Sequence, residues 1–158
     1  MPILHSQITA QGQTPDGKTV QVPPAAALAM RGPIVQVTVS IEQNAAKALL
    51  NQGKTVPSKA GLALIDTGAS NTCIDEQAAQ ELGLPVIDVG SMQSATHDKH
   101  PCNVYPVQIV TPVVTLNSAR TLGANLAAQG LLILIGRDVL SQCTFFYNGP
   151  VGEFTLSL

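Results

Sequence analysis

The segment Leu64-Ile65-Asp66-Thr67-Gly68-Ala69-Ser70 combines residue types and spacing that suit chemistry. An acid follows directly on an apolar run, in a turn of glycine and small hydroxyl residues. A strand ending there would hold the carboxylate at the mouth of a sheet. Gly68 has no side chain and lets another backbone come close. Thr67 and Ser70 can bond the loop backbone and fix the carboxylate's orientation. Asp-Thr-Gly by itself is an ordinary turn tripeptide, so the case depends on what surrounds it. His97 and His100 flank Asp98, but two imidazoles without a third ligand are a poor metal site and read as exposed polar residues. Cys73, Cys102 and Cys143 are an odd number with no close pair. They read as small hydrophobes rather than a disulfide framework or zinc knuckle, and nothing marks Cys102 as an activated thiol.

The elements that must position these groups follow from hydrophobic periodicity. Val35, Val37, Val39 and Ile41 alternate with Gln36, Thr38 and Ser40, giving a strand over 33–41 with one buried side. Residues 44–51 have helical composition with Gly53 as a stop. Gly61 to Ile65 and Leu131 to Ile135 are fully apolar, as interior strands are. Asp75 can cap a helix running to Leu82. Strands are expected over 86–96, 104–110 and 113–116, with His97 to Pro101 as a polar connector, while 119–129 stays open. Asn148 to Gly152 reads as the turn of a closing hairpin between 143–147 and 153–158. Near the N-terminus, Pro15-Asp16-Gly17 is turn chemistry, which makes 3–9 and 18–22 two arms of a hairpin; Ala25 to Met30 is ambiguous. Strands dominate, and neither a repeat nor a domain boundary is visible. Tyr105 and Phe145-Phe146-Tyr147 read as core and sheet packing.

A second motif, Leu132-Ile133-Leu134-Ile135-Gly136-Arg137-Asp138-Val139-Leu140, follows Asp66 at a distance. The pair resembles the retropepsin-like aspartic proteases, in which a hydrophobic strand ending in Gly-Arg crosses the loop that carries the catalytic Asp-Thr/Ser-Gly. The resemblance covers about 32–158 and leaves 1–31 as an N-terminal extension, read as a β-hairpin, and 43–59 unassigned. It implies a mostly β, closed, barrel-like domain with two or three short helices. It also implies that Asp66 is the catalytic carboxylate in a loop of Thr67, Gly68, Ala69 and Ser70, supported by Gly136, Arg137 and Asp138. Thr67 would lock the two facing loops across a dimer. The stretch from Met92 to Asn103 takes the place of the flap, with Ser94, Ala95, Thr96, His97 and Asp98 as flap candidates. Many viral members carry an acid where Ser70 stands here, so the partner of Arg137 is not given by the resemblance. Arg137 and Asp138 also read simply as capping and orienting the helix that follows.

Such enzymes need two carboxylates sharing a proton and a water, one acting as base and the other, protonated, polarising the scissile carbonyl. The chain offers one Asp-Thr-Gly; Asp88-Val89-Gly90 lacks the hydroxyl residues. The second acid is therefore expected from Asp66 of another copy across a two-fold axis, with no metal, no cofactor and an acidic to mildly acidic optimum. Two further readings are a retropepsin-like dimer that binds peptides or assembles partners without cleaving them, and an unrelated β-rich domain in which Asp66 is a turn residue.

Composition bounds the rest. With 158 residues the chain can build one sizeable core but not two pepsin-like lobes. Charged residues are 11% and the net charge is −2, with no basic run, so neither nucleic acid nor an anionic membrane is an expected partner. The expected partners are a second copy and a peptide or protein substrate. There is no tryptophan and only five Phe and Tyr, so the core must be aliphatic. The N-terminus has no basic, apolar leader and no window reaches a membrane span, which gives the expectation of a cytoplasmic protein.

Overall fold

A computed structural model describes residues 2–94 and 97–158, with backbone alone at 93, 94 and 97–99. The elements in chain order are β1 (Ile3–Gln7), β2 (Ala10–Gln13), β3 (Thr19–Val22), α1 (Pro24–Arg31), β4 (Ile34–Ile41), α2 (Gln43–Asn51), β5 (Ser58–Ile65), β6 (Cys73–Asp75), α3 (Glu76–Glu81), β7 (Asp88–Ser94), β8 (His97–Val110), β9 (Thr115–Ala124), β10 (Ile133–Ile135), α4 (Arg137–Leu140), β11 (Thr144–Asn148) and β12 (Glu153–Ser157). Strands β4-β5-β10-β6-β9-β8 run in that order, and β8 pairs back to β4 to close a barrel, with β7 added outside β8. The structure is thus the mostly β, closed barrel that the resemblance implies, with four short α-helices in place of two or three.

Alternation dictates the wall. Val35, Val37, Val39 and Ile41 of β4 all point into the core, as their spacing requires. Ile133 and Ile135 of β10 are fully buried beside Ala63 and Ile65 of β5, which run parallel to them. The core is aliphatic apart from Tyr105 and Phe154. A second, smaller cluster of Cys73, Val104, Leu122, Ala124, Leu126 and Leu131 sits apart from the main core.

The topology around β10 controls everything that follows. β10 lies between β5 and β6, parallel to the first and antiparallel to the second. The chain leaving β5 must therefore arch over the end of β10 before it enters β6. Residues 66–72 are that arch.

Three expectations need correction. Residues 3–9 are not an arm of the first hairpin. β1 instead pairs antiparallel with β12, from Ile3 opposite Ser157 to Gln7 opposite Glu153, in a sheet of order β1-β12-β11. The hairpin is β2 with β3. Turn chemistry locates a reversal but not the far strand that competes for its neighbour, and Leu4 is drawn to the buried row of Phe154 and Leu156. His97 to Pro101 is strand rather than connector: β8 pairs with β7 from Ser94 opposite His97 onward. Pro101 is tolerated because β9 pairs with β8 only from Val104, so its missing N–H falls where one side of the strand has no neighbour. Finally, Phe146 is 61% exposed on β11, while Phe145 packs on Phe154; the two side chains alternate across the sheet.

The N-terminal 31 residues supply Leu4, Ile8, Ala27 and Leu28 to the main core, and the last two are fully buried. Replacing Leu28 with Ala should cost about 2–5 kcal/mol. Urea unfolding checks this; a loss below about 0.5 kcal/mol would mean that α1 is a dispensable attachment.

Candidate active site

The apolar stretch of β5 ends at Ile65, and Asp66 is the first residue of the arch. Its backbone N–H donates to the carbonyl of Ile135 at 2.9 Å, so the loop starts from the end of β10. Its carboxylate Oδ1 accepts the Gly68 N–H at 2.8 Å. A Cβ on Gly68 would lie 3.0 Å from that same oxygen, so glycine lets the carboxylate sit close against its own loop. Asp66 is half-buried, while Thr67 and Gly68 are exposed.

Gly136 is the fixed point under the arch. A Cβ there would sit 2.4 Å from the carbonyl carbon of Asn71 and 2.8 Å from the nitrogen of Thr72, both backbone atoms. Around this contact a lattice of hydrogen bonds joins the two chain segments. Gly136 N–H donates to Thr72 Oγ1 at 3.1 Å. Thr72 donates from Oγ1 to Asp138 Oδ1 at 2.8 Å and from its N–H to Oδ2 at 3.0 Å. Arg137 N–H donates to the carbonyl of Ala69 at 2.9 Å.

Arg137 has a partner after all. Its guanidinium donates to the Thr67 carbonyl at 3.0 Å, to the Gly68 carbonyl at 3.4 Å and to the Ser70 hydroxyl at 2.7 Å. The place of a carboxylate at position 70 is thus taken by a hydroxyl plus two carbonyls. The bonds expected from the Thr67 and Ser70 hydroxyls to the loop backbone do not form among the described residues. Ser70 serves Arg137, and the carboxylate is oriented by Gly68.

Several supporting residues carry no motif. Asp75, read from sequence only as a helix cap, does accept the Ala78 N–H at 3.2 Å. Its other oxygen accepts the N–H groups of Leu126 and Ala127 at 3.0 and 2.9 Å, and so holds the chain just beyond β9. Glu76 accepts from Tyr105 Oη at 2.7 Å and from Asn103 Nδ2 at 2.8 Å, tying α3 to β8. Burial pushes the Glu76 carboxyl up, but the bonds from Tyr105, Asn103 and Gln80 outweigh it and hold the group below its ordinary value. An Asp directly before a stretch of helical composition is a legible cap. A bond spanning 51 residues in sequence is not.

The arch opens onto a cleft of about 1080 Å³. Gly68, Ala69, Ser70 and Asn71 form one side, and Ser91, Met92 and His100 of the β7–β8 hairpin form another. The remaining wall comes from the β6, β9 and β10 face and the turn at 125–129. Of the flap candidates, Ala95 and Thr96 lie outside the described residues, as do the side chains of Ser94, His97 and Asp98. Asp88 is not a second loop acid: it lies in β7 with Arg120 at 2.6 Å. The three cysteines are free, Cys73 buried and the other two half-buried. Among the described residues, no helix is long and apolar enough to cross a membrane.

Comparison with known proteins adds three findings. Residues 37–138 match a family described as aspartyl protease, which is well over half of the chain and spans both Asp66 and Arg137. A crystal structure of a retropepsin-like aspartic protease from Rickettsia conorii aligns over 98% of this chain and 92% of that chain, at 13% identity and a TM-score of 0.47. A search of curated proteins returns no match.

Two measurements check this geometry. Gly136→Ala forces a methyl group into backbone that cannot retreat and should cost about 1–3 kcal/mol or more in urea unfolding; an unchanged midpoint would contradict the crossing. The Glu76 carboxyl is lower in the folded than in the unfolded chain, so its contribution is present above the unfolded value and is lost as pH falls through the folded one. Between pH 6 and 3, wild type should therefore lose more thermal stability than Glu76→Gln, with the difference opening below about pH 4.

Proposed function

This chain belongs to the aspartyl protease family, and we propose that it hydrolyses peptide bonds as a homodimer whose two Asp66 carboxylates share one water. The observation that carries this reading is the presentation of Asp66. Its carboxylate is braced by the Gly68 N–H of its own loop, and the loop's outer residues, Thr67 and Gly68, face solvent. Behind them Arg137, Asp138 and Thr72 lock the arch to the barrel. The group is held rigidly and offered outward, as half of a paired site must be.

In this reading a two-fold axis brings two such loops face to face. The Thr67 hydroxyl, which bonds no described residue of its own chain, is available to the facing loop. Two carboxylates at that separation do not both ionise readily, so the pair carries one proton between them. The ionised member takes a proton from the bound water, which attacks the scissile carbonyl carbon. The protonated member donates to the carbonyl oxygen as the tetrahedral intermediate forms. Collapse of that intermediate breaks the C–N bond as the departing nitrogen takes up a proton, yielding a free carboxylate and amine. No covalent enzyme intermediate arises. The substrate would lie in the cleft beneath the β7–β8 hairpin, which acts as the flap.

Asp66→Asn keeps an acceptor for the Gly68 N–H and should leave the fold and the dimer intact. It should lower kcat/KM on a peptide library by about 10²–10⁴-fold or more, while wild type shows an optimum on the acid side of neutrality. Sedimentation alongside the assay separates the alternatives. Undiminished turnover refutes the role of Asp66. A wild-type dimer that never cleaves is a binding module, and a monomer at all concentrations removes the shared site.

A further inference from the structure

The β7–β8 hairpin that walls the cleft is supported unevenly along its length. β8 pairs with β7 from His97 opposite Ser94 to Val104 opposite Asp88. On its other edge, the described pairing of β8 with β9 reaches toward the hairpin only as far as Val104, opposite Leu122. Beyond Val104 the hairpin projects from the barrel wall as a two-stranded ribbon. Such a ribbon is only marginally stable by itself, so its direction is set at its root. Ser91, Met92 and His100, which line the cleft, all lie on the projecting part.

At that root sits Glu76, the first residue of α3. Its Oε1 accepts from Tyr105 Oη at 2.7 Å, from Asn103 Nδ2 at 2.8 Å and from Gln80 Nε2 at 3.1 Å. Asn103 and Tyr105 flank Val104 in sequence, and Asn103 also donates to Tyr105 Oη at 3.2 Å. Burial and the bond to Glu76 both push the Tyr105 hydroxyl up, so it stays a donor. The other oxygen of Glu76, Oε2, lies against β9: a Cβ on Gly123 would overlap it. Gly123 stands between Leu122 and Ala124, which line the cleft. Glu76 also follows Asp75, whose Oδ1 holds the Leu126 and Ala127 N–H groups. Residues 75 and 76 thus tie together β6, the β9 wall of the cleft and the root of the hairpin.

We propose that Glu76 is a positioning residue for peptide binding: by gripping Asn103 and Tyr105 on either side of Val104, it sets the angle at which the β7–β8 hairpin leaves the barrel. That angle fixes the width of the cleft beside Asp66. The proposal rests on the endopeptidase reading and adds to it a residue outside both motifs. Three donors converging on one carboxylate oxygen make a junction of fixed geometry. Losing the junction leaves the β8–β9 ladder in place but frees the ribbon to pivot at Val104. Glu76 itself touches no substrate in this reading. It acts through Ser91, Met92 and His100, which would meet bound peptide in ground state and transition state alike, so the effect falls on KM.

The test compares the full-length wild type with Glu76→Ala, Glu76→Gln and Asn103→Ala, by amide hydrogen exchange and by peptide cleavage. In Glu76→Ala and Asn103→Ala, the amides of 88–92 and 100–103 should exchange about tenfold or more faster, as loss of a charged hydrogen bond implies, while β5 and β10 keep their wild-type rates. In the same two variants KM should rise about three- to tenfold with kcat within about twofold of wild type. Glu76→Gln keeps an oxygen at the junction and should lie close to wild type in both readouts. A role confined to stability would instead lower the folded fraction, reducing apparent kcat at unchanged KM and speeding exchange throughout the barrel. That pattern, an unchanged KM, or unchanged exchange in the hairpin overturns the proposal. Should Glu76→Ala fail to fold, Asn103→Ala decides by itself, because it leaves the bond between Glu76 and Tyr105 in place. Wild-type protein that cleaves nothing, while exchange quickens only in 88–92 and 100–103, overturns the hydrolase reading and leaves the clamp standing.

Discussion

Backbone meets backbone where Gly136 passes beneath Asn71 and Thr72, and the rest of the site is arranged around that contact. Because β10 is inserted between two strands that follow one another in the chain, the connection between them has to bridge its end. A bridge of seven residues over a strand end leaves little slack. Without a side chain at position 136 the bridge can settle onto the strand, and the Thr72 and Asp138 bonds can then form at 2.8–3.1 Å. Each of these polar groups is satisfied, and no buried side-chain N or O among the described residues is left without a partner. A closed network of this kind fixes one geometry rather than several. The carboxylate of Asp66 inherits its position from that rigidity.

Charge is spent sparingly and in two distinct ways. The ion pairs of the described surface, such as Lys18 with Asp16 and Arg120 with Asp88, are well exposed and contribute little to stability. The charges that matter to architecture are Arg137, Asp138, Asp75 and Glu76, and each is directed at backbone or neutral polar groups near the cleft. Arg137 illustrates the economy. Its planar fork can engage carbonyls and a hydroxyl together, so the loop is gathered without introducing a second carboxylate beside Asp66.

Stability comes instead from aliphatic packing that draws on both ends of the chain. β1 and β12 carry Leu4, Phe154 and Leu156 into the same core as the barrel strands, and α1 adds Ala27 and Leu28. The opposite face of that terminal sheet is mixed, with Ile3 and Phe146 exposed beside His5 and Thr155. The N-terminal residues are thus packed into the domain that bears Asp66 rather than laid across its cleft.

What could be read from sequence alone shares one property: it is local. The alternation of β4, the apolar triplet before Asp66, the glycine before Arg137 and the cap at Asp75 each follow from residues within a few positions of one another, because strand pleat, capping and close backbone approach are short-range constraints. Residues 66–70 and 136–138 were legible as a pair through their resemblance to a known protease pattern. Tertiary structure decided what depends on partners distant in the chain. It placed β1 on β12 instead of in the first hairpin, gave Arg137 the Ser70 hydroxyl in place of an acid, and extended β8 back to His97 along β7. It also brought Asn71, Asn125 and Gln129 to one cleft. Each of these is a choice among competing neighbours, and only the closed barrel, by fixing which strands lie side by side, makes that choice.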